Sequence, residues 1–300
     1  MGQDQARVIA VVVAYRPDFK RLAAVLESIA GQVAGIVLVN NGTEELRPVA
    51  RAVGAVVQEL GCNRGLAAGL NAGIARARRL GASHVLLLDQ DSVPAADLVL
   101  RLLGALTAAA GARPPPAAAG PLFVEARTGR PAFFVRFGRL GLRRLRCTGD
   151  ETVSCGFLIT SGSLIPVEVL DRVGPMDESL FIEHVDTDWH LRARAAGYRA
   201  LGVCAARLSH QRGAATVRFA GLDLPRHIPL RHYYLLRNSL WLYRRPYAPW
   251  RWILADVVRN LAWMAAVLLT HGDRGAHLRA MARGIRDGLG TPPPPPVARP

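Results

Sequence analysis

Residues 85–92 read Val-Leu-Leu-Leu-Asp-Gln-Asp-Ser (VLLLDQDS). Four apolar residues followed at once by carboxylates describe a buried strand that ends at an open edge, because ionised side chains stay where water, a cation or a partner can reach them. The same pattern recurs upstream. Val8–Ala14 (VIAVVVA) is apolar and rich in β-branched residues, as suits a strand covered on both faces. Phe19–Ala30 reads as a helix. Ile36–Val39 is a second strand, stopped by the turn signal Asn40-Asn41-Gly42. Ala55–Glu59 is a third, Leu66–Leu80 a helix rich in small residues, and Asp97–Ala110 another helix. Strands alternating with helices predict an α/β chain built on a doubly wound, mostly parallel sheet. Ligands of such sheets bind beyond the carboxyl ends of the strands, where Asn40 and Asp89 stand.

The pattern changes after Pro114-Pro115-Pro116. Residues 117–147 hold short extended pieces and the basic run Arg139–Arg146, and read as a flexible or ligand-facing loop. Phe157–Ile165 reads as a strand, Val167–Val173 as a short helix, Val185–Ala196 as a helix with acidic first turns, and Tyr198–Val203 as a strand. Gln211–Arg226 reads as a mobile loop. Pro229–Arg245 and Pro249–Thr270 read as helices carrying many aromatics and arginines. The expected organisation is an α/β domain over residues 1–226, with halves meeting near residue 116. A helical region over 227–290 and a disordered proline-rich tail over 291–300 follow.

The 300 residues are half apolar, with a net charge of +15 and a mean hydropathy of +0.16. A sizeable core is therefore available. The charge points to acidic partners (a pyrophosphate ligand, anionic lipid or nucleic acid) unless it is spread over solvated faces. No nucleic-acid recognition motif is present, so nucleic acid is set aside. Cys62, Cys147, Cys155 and Cys204 lie far apart, none with metal-ligand spacing, and read as reduced thiols of a cytoplasmic protein. Val8–Ala14 is too short for a signal peptide. Ile253–Leu269 carries Asp256 and Arg259, and a spanning helix wants roughly 20 mostly apolar residues, so it is not read as a span.

Asp89 and Asp91 flank one residue just past a strand, and paired carboxylates there suit Mg²⁺ or Mn²⁺ completed by substrate phosphates. The local alternative is that Asp91 or Ser92 caps a helix beginning near Pro94. Asp186, in Glu183-His184-Val185-Asp186-Thr187-Asp188, is either a helix cap at the positive dipole end or a general base. His210 is either a further metal ligand or a surface loop residue. Gly65, Gly69 and Gly73 recur every fourth residue. They make a close-packed helix face, or they place Asn63 and Arg64 beside a ligand at the helix start, and the two are compatible.

In combination these segments resemble glycosyltransferase family 2, the inverting enzymes of the GT-A fold, and within it bacterial rhamnosyltransferases of cell-envelope polysaccharide assembly. The matching pieces are VVVAYRP (11–17), VNNG (39–42), NRGLAAGLNAG (63–73), LLLDQDS (86–92), SGSLIP (161–166) and GPMDESLFIEHVDTDWHLR (174–192). Ser209-His210 and Arg237-Asn238 complete the set. The resemblance implies a Rossmann-like GT-A domain with C-terminal helices. It implies that Ala14, Tyr15, Arg16 and Asn40 hold the nucleotide, that Asp89 faces the donor ribose and sugar, and that Asp91 and His210 bind the metal. Asp186 would be the base and Asp188 a supporting carboxylate. Where this chain has Asn40-Asn41 the family often has Asp-Asn, so the charge on the hydrogen bond to the pyrimidine is lost.

The donor implied is dTDP-L-rhamnose, with galactofuranose or another nucleotide-sugar as the nearest rival. The acceptor implied is a glycan or a polyprenyl-diphosphate-linked species, which residues 117–147 would face. An idle domain serving as a membrane-surface binding partner is the alternative of another class. Residues 231–259 mix Trp and Tyr with Arg, which suits an interfacial helix on anionic lipid, or equally a helical pair packed on the core or a partner subunit. The expected location is cytoplasmic, peripheral at the inner face of the cell membrane.

Overall fold

The computed structural model describes residues 6–126, 129–138, 141–210, 216–219, 222–225, 228–270 and 273–296. It begins as the hydrophobic pattern dictates. β1 (Val8–Ala14), α1 (Phe19–Ala30), β2 (Gly35–Asn40), α2 (Arg47–Ala52), β3 (Val56–Glu59), α3 (Leu66–Arg79) and β4 (His84–Asp89) alternate. β3, β2, β1 and β4 lie side by side in parallel. Every residue of β1 is buried. Because side chains alternate along a strand, Ile9, Val11 and Val13 join the core under α3, while Val8, Ala10, Val12 and Ala14 join the core under α1. α1 starts where the Asp18 carboxylate accepts from the Lys20 and Arg21 amides, satisfying two of the unpaired N–H groups of a helix start.

The second half is mixed. β5 (Ser92–Pro94) and α4 (Leu98–Ala108) lead to β6 (Pro116–Glu125), β7 (Phe134–Phe137), β8 (Leu142–Leu145), β9 (Thr152–Cys155) and β10 (Leu164–Pro166). α5 (Val167–Val173), a 3-10 turn at Glu178–Leu180, α6 (Val185–Ala195) and β11 (Arg199–His210) follow. β10 runs antiparallel between β4 and β6, and β11 runs parallel to β6. β9 and β5 line the outer edge of β11.

Three readings are corrected here. Residues 117–147 are not a loop: Ala117–Leu122 of β6 is a buried central strand, and β7 and β8 form a hairpin. Alanine, glycine and proline conceal the strand, since they carry little β propensity and only their position between β10 and β11 buries them. Phe157–Ile165 is strand only at its end, in β10, and Ser161 within it bonds to the Asp89 amide at the end of β4. The cysteines are not all reduced: Cys147 and Cys204 form a disulfide, leaving Cys62 and Cys155 free. The register between β6 and β11 slips between Val203 and Arg207, and Cys204 lies in that irregularity.

Part of the expected mobile loop 211–226 forms the hairpin of β12 (Thr216–Phe219) and β13 (Leu222–Pro225), and its other residues lie outside the described ones. α7 (Pro229–Tyr243), α8 (Trp250–Thr270) and α9 (Arg274–Leu289) complete the chain. α7 packs against α9, and both α7 and α8 reach His184 at the start of α6, through Ser239 and Trp252. Among the described residues α8 is the one helix long and apolar enough, by length and composition, to cross a membrane.

Candidate active site

The carboxyl ends of β1, β2, β3 and β4 form one edge, and the candidate residues gather there. Ala14 is registered opposite Asn40, and Val13 opposite Asp89. Gln90 ties the β4 end to the β1 end: its Oε1 accepts from the Tyr15 amide (2.8 Å) and its Nε2 donates to the Tyr15 carbonyl (3.2 Å). Arg16 follows with a positive φ of 45° and lays its guanidinium over the Tyr15 ring at 5.3 Å.

Asn40 is 2% exposed. Its Oδ1 accepts from the Gly42 amide (3.2 Å), while its Nδ2 donates to the Glu44 carbonyl and the Glu59 carboxylate, both at 2.7 Å. The amide is thus committed inside the protein, and the exposed carboxylate beside it belongs to Glu59 at the end of β3. Asn41 Oδ1 accepts from the Arg64 amide and its Nδ2 donates to the Gly65 carbonyl. Asn63 Oδ1 accepts from the Gly65 amide. Asn63 and Arg64 therefore form the pinned entrance to α3. Gly65 has φ +87°, and a Cβ there would lie 2.6 Å from the Phe181 ring. Only glycine fits both the conformation and the approach.

Asp89 and Asp186 lie 97 positions apart in sequence yet act on each other electrostatically across this edge. Burial first, then the Asp91 and Asp186 charges, push the Asp89 carboxyl up to about 7 against the opposing pull of Arg231. Burial also raises Asp186, offset by hydrogen bonds from the Thr187 and Thr160 amides and by His184. Asp91 and Asp186 both act on Asp89 at this edge, and carboxylate oxygens are the donors that Mg²⁺ or Mn²⁺ takes, so the chemistry of these side chains fits such a cation. Ser161 Oγ accepts from the Asp89 amide (3.0 Å) and fixes the strand end. Neither Asp91 nor Ser92 caps a helix. Ser92 opens β5, and α4 starts only at Leu98. His210 ends β11, its backbone registered opposite Ser92 and so next to Asp91.

Asp186 stands in the first turn of α6, whose N-cap is His184. Asp188 is turned away: fully buried, it accepts from Arg192 Nε (2.9 Å) and the Tyr247 hydroxyl (2.6 Å). It anchors α6 to the core rather than facing the cleft. The segment before α6 is strained, since Phe181, Glu183 and His184 all have φ between 61° and 64°. Such backbone persists only where surroundings impose it. Asn238 does so, its Nδ2 directed at the carbonyls of Leu180, Ile182 and Glu183. Arg237 donates to the carbonyls of Ser179 and Leu180 and stacks on Trp241 at 4.2 Å. Arg231 Nε pairs with Glu183 at 2.5 Å.

Gln90, Asn41, Glu59, Ser161 and Arg231 were not singled out from sequence as site residues. Gln90 lies inside the Asp-x-Asp and Asn41 inside the turn, so both could have been suspected. Glu59, Ser161 and Arg231 meet the site only through folding. Beyond it, Gly120–Val124, Phe133, Phe134 and Phe157–Ile159 line an apolar cavity of about 540 Å³.

A carboxylate cluster at the carboxyl edge of a mostly parallel sheet, faced by a strained acidic segment, is the candidate active site of a GT-A fold. Residues 6–223 match the sequence profile of the glycosyltransferase-like family 2, and the chain belongs to that family. It is a glycosyltransferase. More particularly, it is 28% identical over 291 residues to the dTDP-rhamnosyl transferase RfbF of Shigella flexneri, covering 95% of this chain and 96% of that protein. Among solved structures, residues 1–349 of TarS from S. aureus align with a TM-score of 0.59 at 13% identity, over 94% of this chain and 81% of that one. GalNAc-T7 with UDP, GalNAc and Mn²⁺ aligns with a TM-score of 0.57 at 14% identity, over 83% of this chain and 53% of that one. The chain thus spans about half the length of GalNAc-T7, and these likenesses establish the fold.

Proposed function

We propose that the chain is an inverting rhamnosyltransferase that moves L-rhamnose from dTDP-L-rhamnose to a hydroxyl of a cell-envelope polysaccharide or lipid-linked glycan. The observation that carries this is that Asp186, from the second half of the chain, and Asp91 both act on Asp89 at the carboxyl end of β4. Inverting transfer needs a carboxylate to take the acceptor proton and a separate means of holding the departing diphosphate. Asp186 takes the proton from the acceptor hydroxyl. The freed oxygen bonds to the anomeric carbon, and the bond from that carbon to the diphosphate breaks with its electron pair going to the leaving oxygen. Its raised affinity for protons makes Asp186 a stronger base than a free carboxylate. Asp91 and His210 would hold a divalent cation, which when bound stabilises charge on the diphosphate.

On the donor side, Ala14, Tyr15 and Arg16 border the nucleotide, Asn63 and Arg64 close its far side, and Asp89 faces ribose and sugar. Asn40 contributes by orienting Glu59, whose carboxylate accepts the pyrimidine N3–H in the family aspartate's stead. The apolar cavity is the acceptor side. Phe157–Ile159 line it, while the next residues, Thr160 and Ser161, bond to Asp186 and Asp89.

The outer face of α8 carries exposed Trp250, Leu254, Val258 and Leu261. With the neighbouring arginines it would lie on anionic lipid, placing the enzyme at a membrane surface where lipid-linked acceptors reside.

Isothermal calorimetry of dTDP and UDP, with and without Mn²⁺, tests the donor site. Binding should require the metal, favour dTDP and disappear in Asp91→Ala. Absence of binding by either nucleotide to the folded protein would sink the rhamnosyltransferase reading.

A further inference from the structure

Helix α8 turns its carboxylate inward. Asp256 is 3% and Asn260 6% exposed, while the apolar residues of the opposite face meet solvent. A buried carboxylate must be satisfied by partners, and Asp256 has four. Oδ2 accepts from Ser239 Oγ (2.7 Å), the Tyr243 hydroxyl (2.8 Å) and Asn260 Nδ2 (3.0 Å), and Oδ1 accepts from Arg259. Ser239 Oγ also lies 2.9 Å from His184 Nε2. A hydroxyl has one proton. Ser239 gives it to Asp256, so it is an acceptor toward His184, and His184 carries its proton on Nε2. The chain Asp256–Ser239–His184 is thereby fixed in direction and tautomer. The His184 ring is further held edge-on by Trp252, with centroids 5.6 Å apart.

His184 is the left-handed N-cap of α6, and its carbonyl accepts from the Asp188 amide at 2.8 Å, within the first turn of the helix. Where that turn begins decides where Asp186 stands, two residues later. We infer that Ser239 and Asp256 are positioning residues for the reaction: they lock His184 and, through it, the Asp186 carboxylate. The seating of α8 and the geometry of the base are then one mechanical unit. The inference rests on the reading of Asp186 as the base.

The test uses the full chain, with water as acceptor and dTDP release from dTDP-L-rhamnose as the assay, alongside dTDP calorimetry and thermal midpoints. Asp186→Asn should lower kcat by about 100-fold with dTDP affinity kept. Ser239→Ala and Asp256→Asn should each lower kcat by about 10-fold, with donor KM and dTDP Kd within about 2-fold of wild type. Tyr243→Phe removes a different partner of Asp256 without touching His184, so it should lower the thermal midpoint while kcat stays. Should Asp256→Asn fail to fold, Ser239→Ala carries the comparison, because it leaves Asp256 three partners. Unchanged kcat in the folded relay variants beside an inactive Asp186→Asn overturns the inference, as does a kcat loss in Tyr243→Phe matching theirs. Full activity of Asp186→Asn would instead remove the base reading beneath it.

Discussion

His190 sits one turn after Asp186, with Nδ1 2.9 Å from the Asp186 carbonyl oxygen. That contact places the proton on Nδ1 and leaves Nε2 buried with no hydrogen-bond partner. Burial therefore holds its pKa down to about 4, against 6.5 when free. Between those values the unfolded chain binds a proton that the folded one refuses, so stability falls as pH falls from 6.5 toward 4. Between pH 7 and pH 5 this amounts to about 2 kcal/mol. Urea titrations at the two pH values should show wild type losing about that much more than His190→Asn, whose side-chain N–H replaces Nδ1. Equal losses would mean that His190 is not kept neutral. At the end of β3, Glu59→Gln removes a charged acceptor while keeping a hydrogen bond to Asn40. It should weaken dTDP binding by about 10-fold in calorimetry, or about 1.4 kcal/mol. Unaltered affinity would place the pyrimidine elsewhere.

Helix α3 lies close on the sheet because its face is made of small residues. A Cβ added at Gly73 would stand 2.2 Å from Val11 Cγ1 and 2.9 Å from Val39 Cγ2. Both valines are fully buried and have nowhere to move. Gly73→Ala should lower stability by about 1–3 kcal/mol despite its better helix propensity. Gly104, on the exposed face of α4, has nothing within 4 Å of the same added atom, so Gly104→Ala should raise stability by about 0.5–1 kcal/mol. Denaturant midpoints of the two variants should move in opposite directions. The same small residues made α3 legible in the sequence, whereas the equally small Ala117–Gly120 of β6 read as loop. A helix advertises itself by period. A central strand of alanines is recognisable only once neighbours are paired to both its edges.

Across the whole molecule, the C-terminal helices join the segment before α6 on their inner side and present apolar residues on their outer side. Vesicle sedimentation should show the protein bound to anionic phosphatidylglycerol vesicles and released by salt. Leu254→Glu with Leu261→Glu should weaken that binding by about 10-fold or more without lowering dTDP affinity. Retention of binding by the double variant would place the contact on another face.

The sequence by itself determined the doubly wound N-terminal half, the strand ends at which the candidate residues gather, and the candidate roles of Asp89, Asp91 and Asp186. These features are written in local hydrophobic periodicity and in charges placed where a buried run stops. Only the tertiary structure decided that Asn40 is committed inward and Glu59 stands beside it, that Asp188 is an anchor, and that Cys147 meets Cys204. It alone decided that Asp256, a reason for not reading α8 as a membrane span, is the buried partner of Ser239. Each of these depends on a contact between residues distant in the chain, and hydrogen bonding and burial leave no periodic trace from which such a contact can be read.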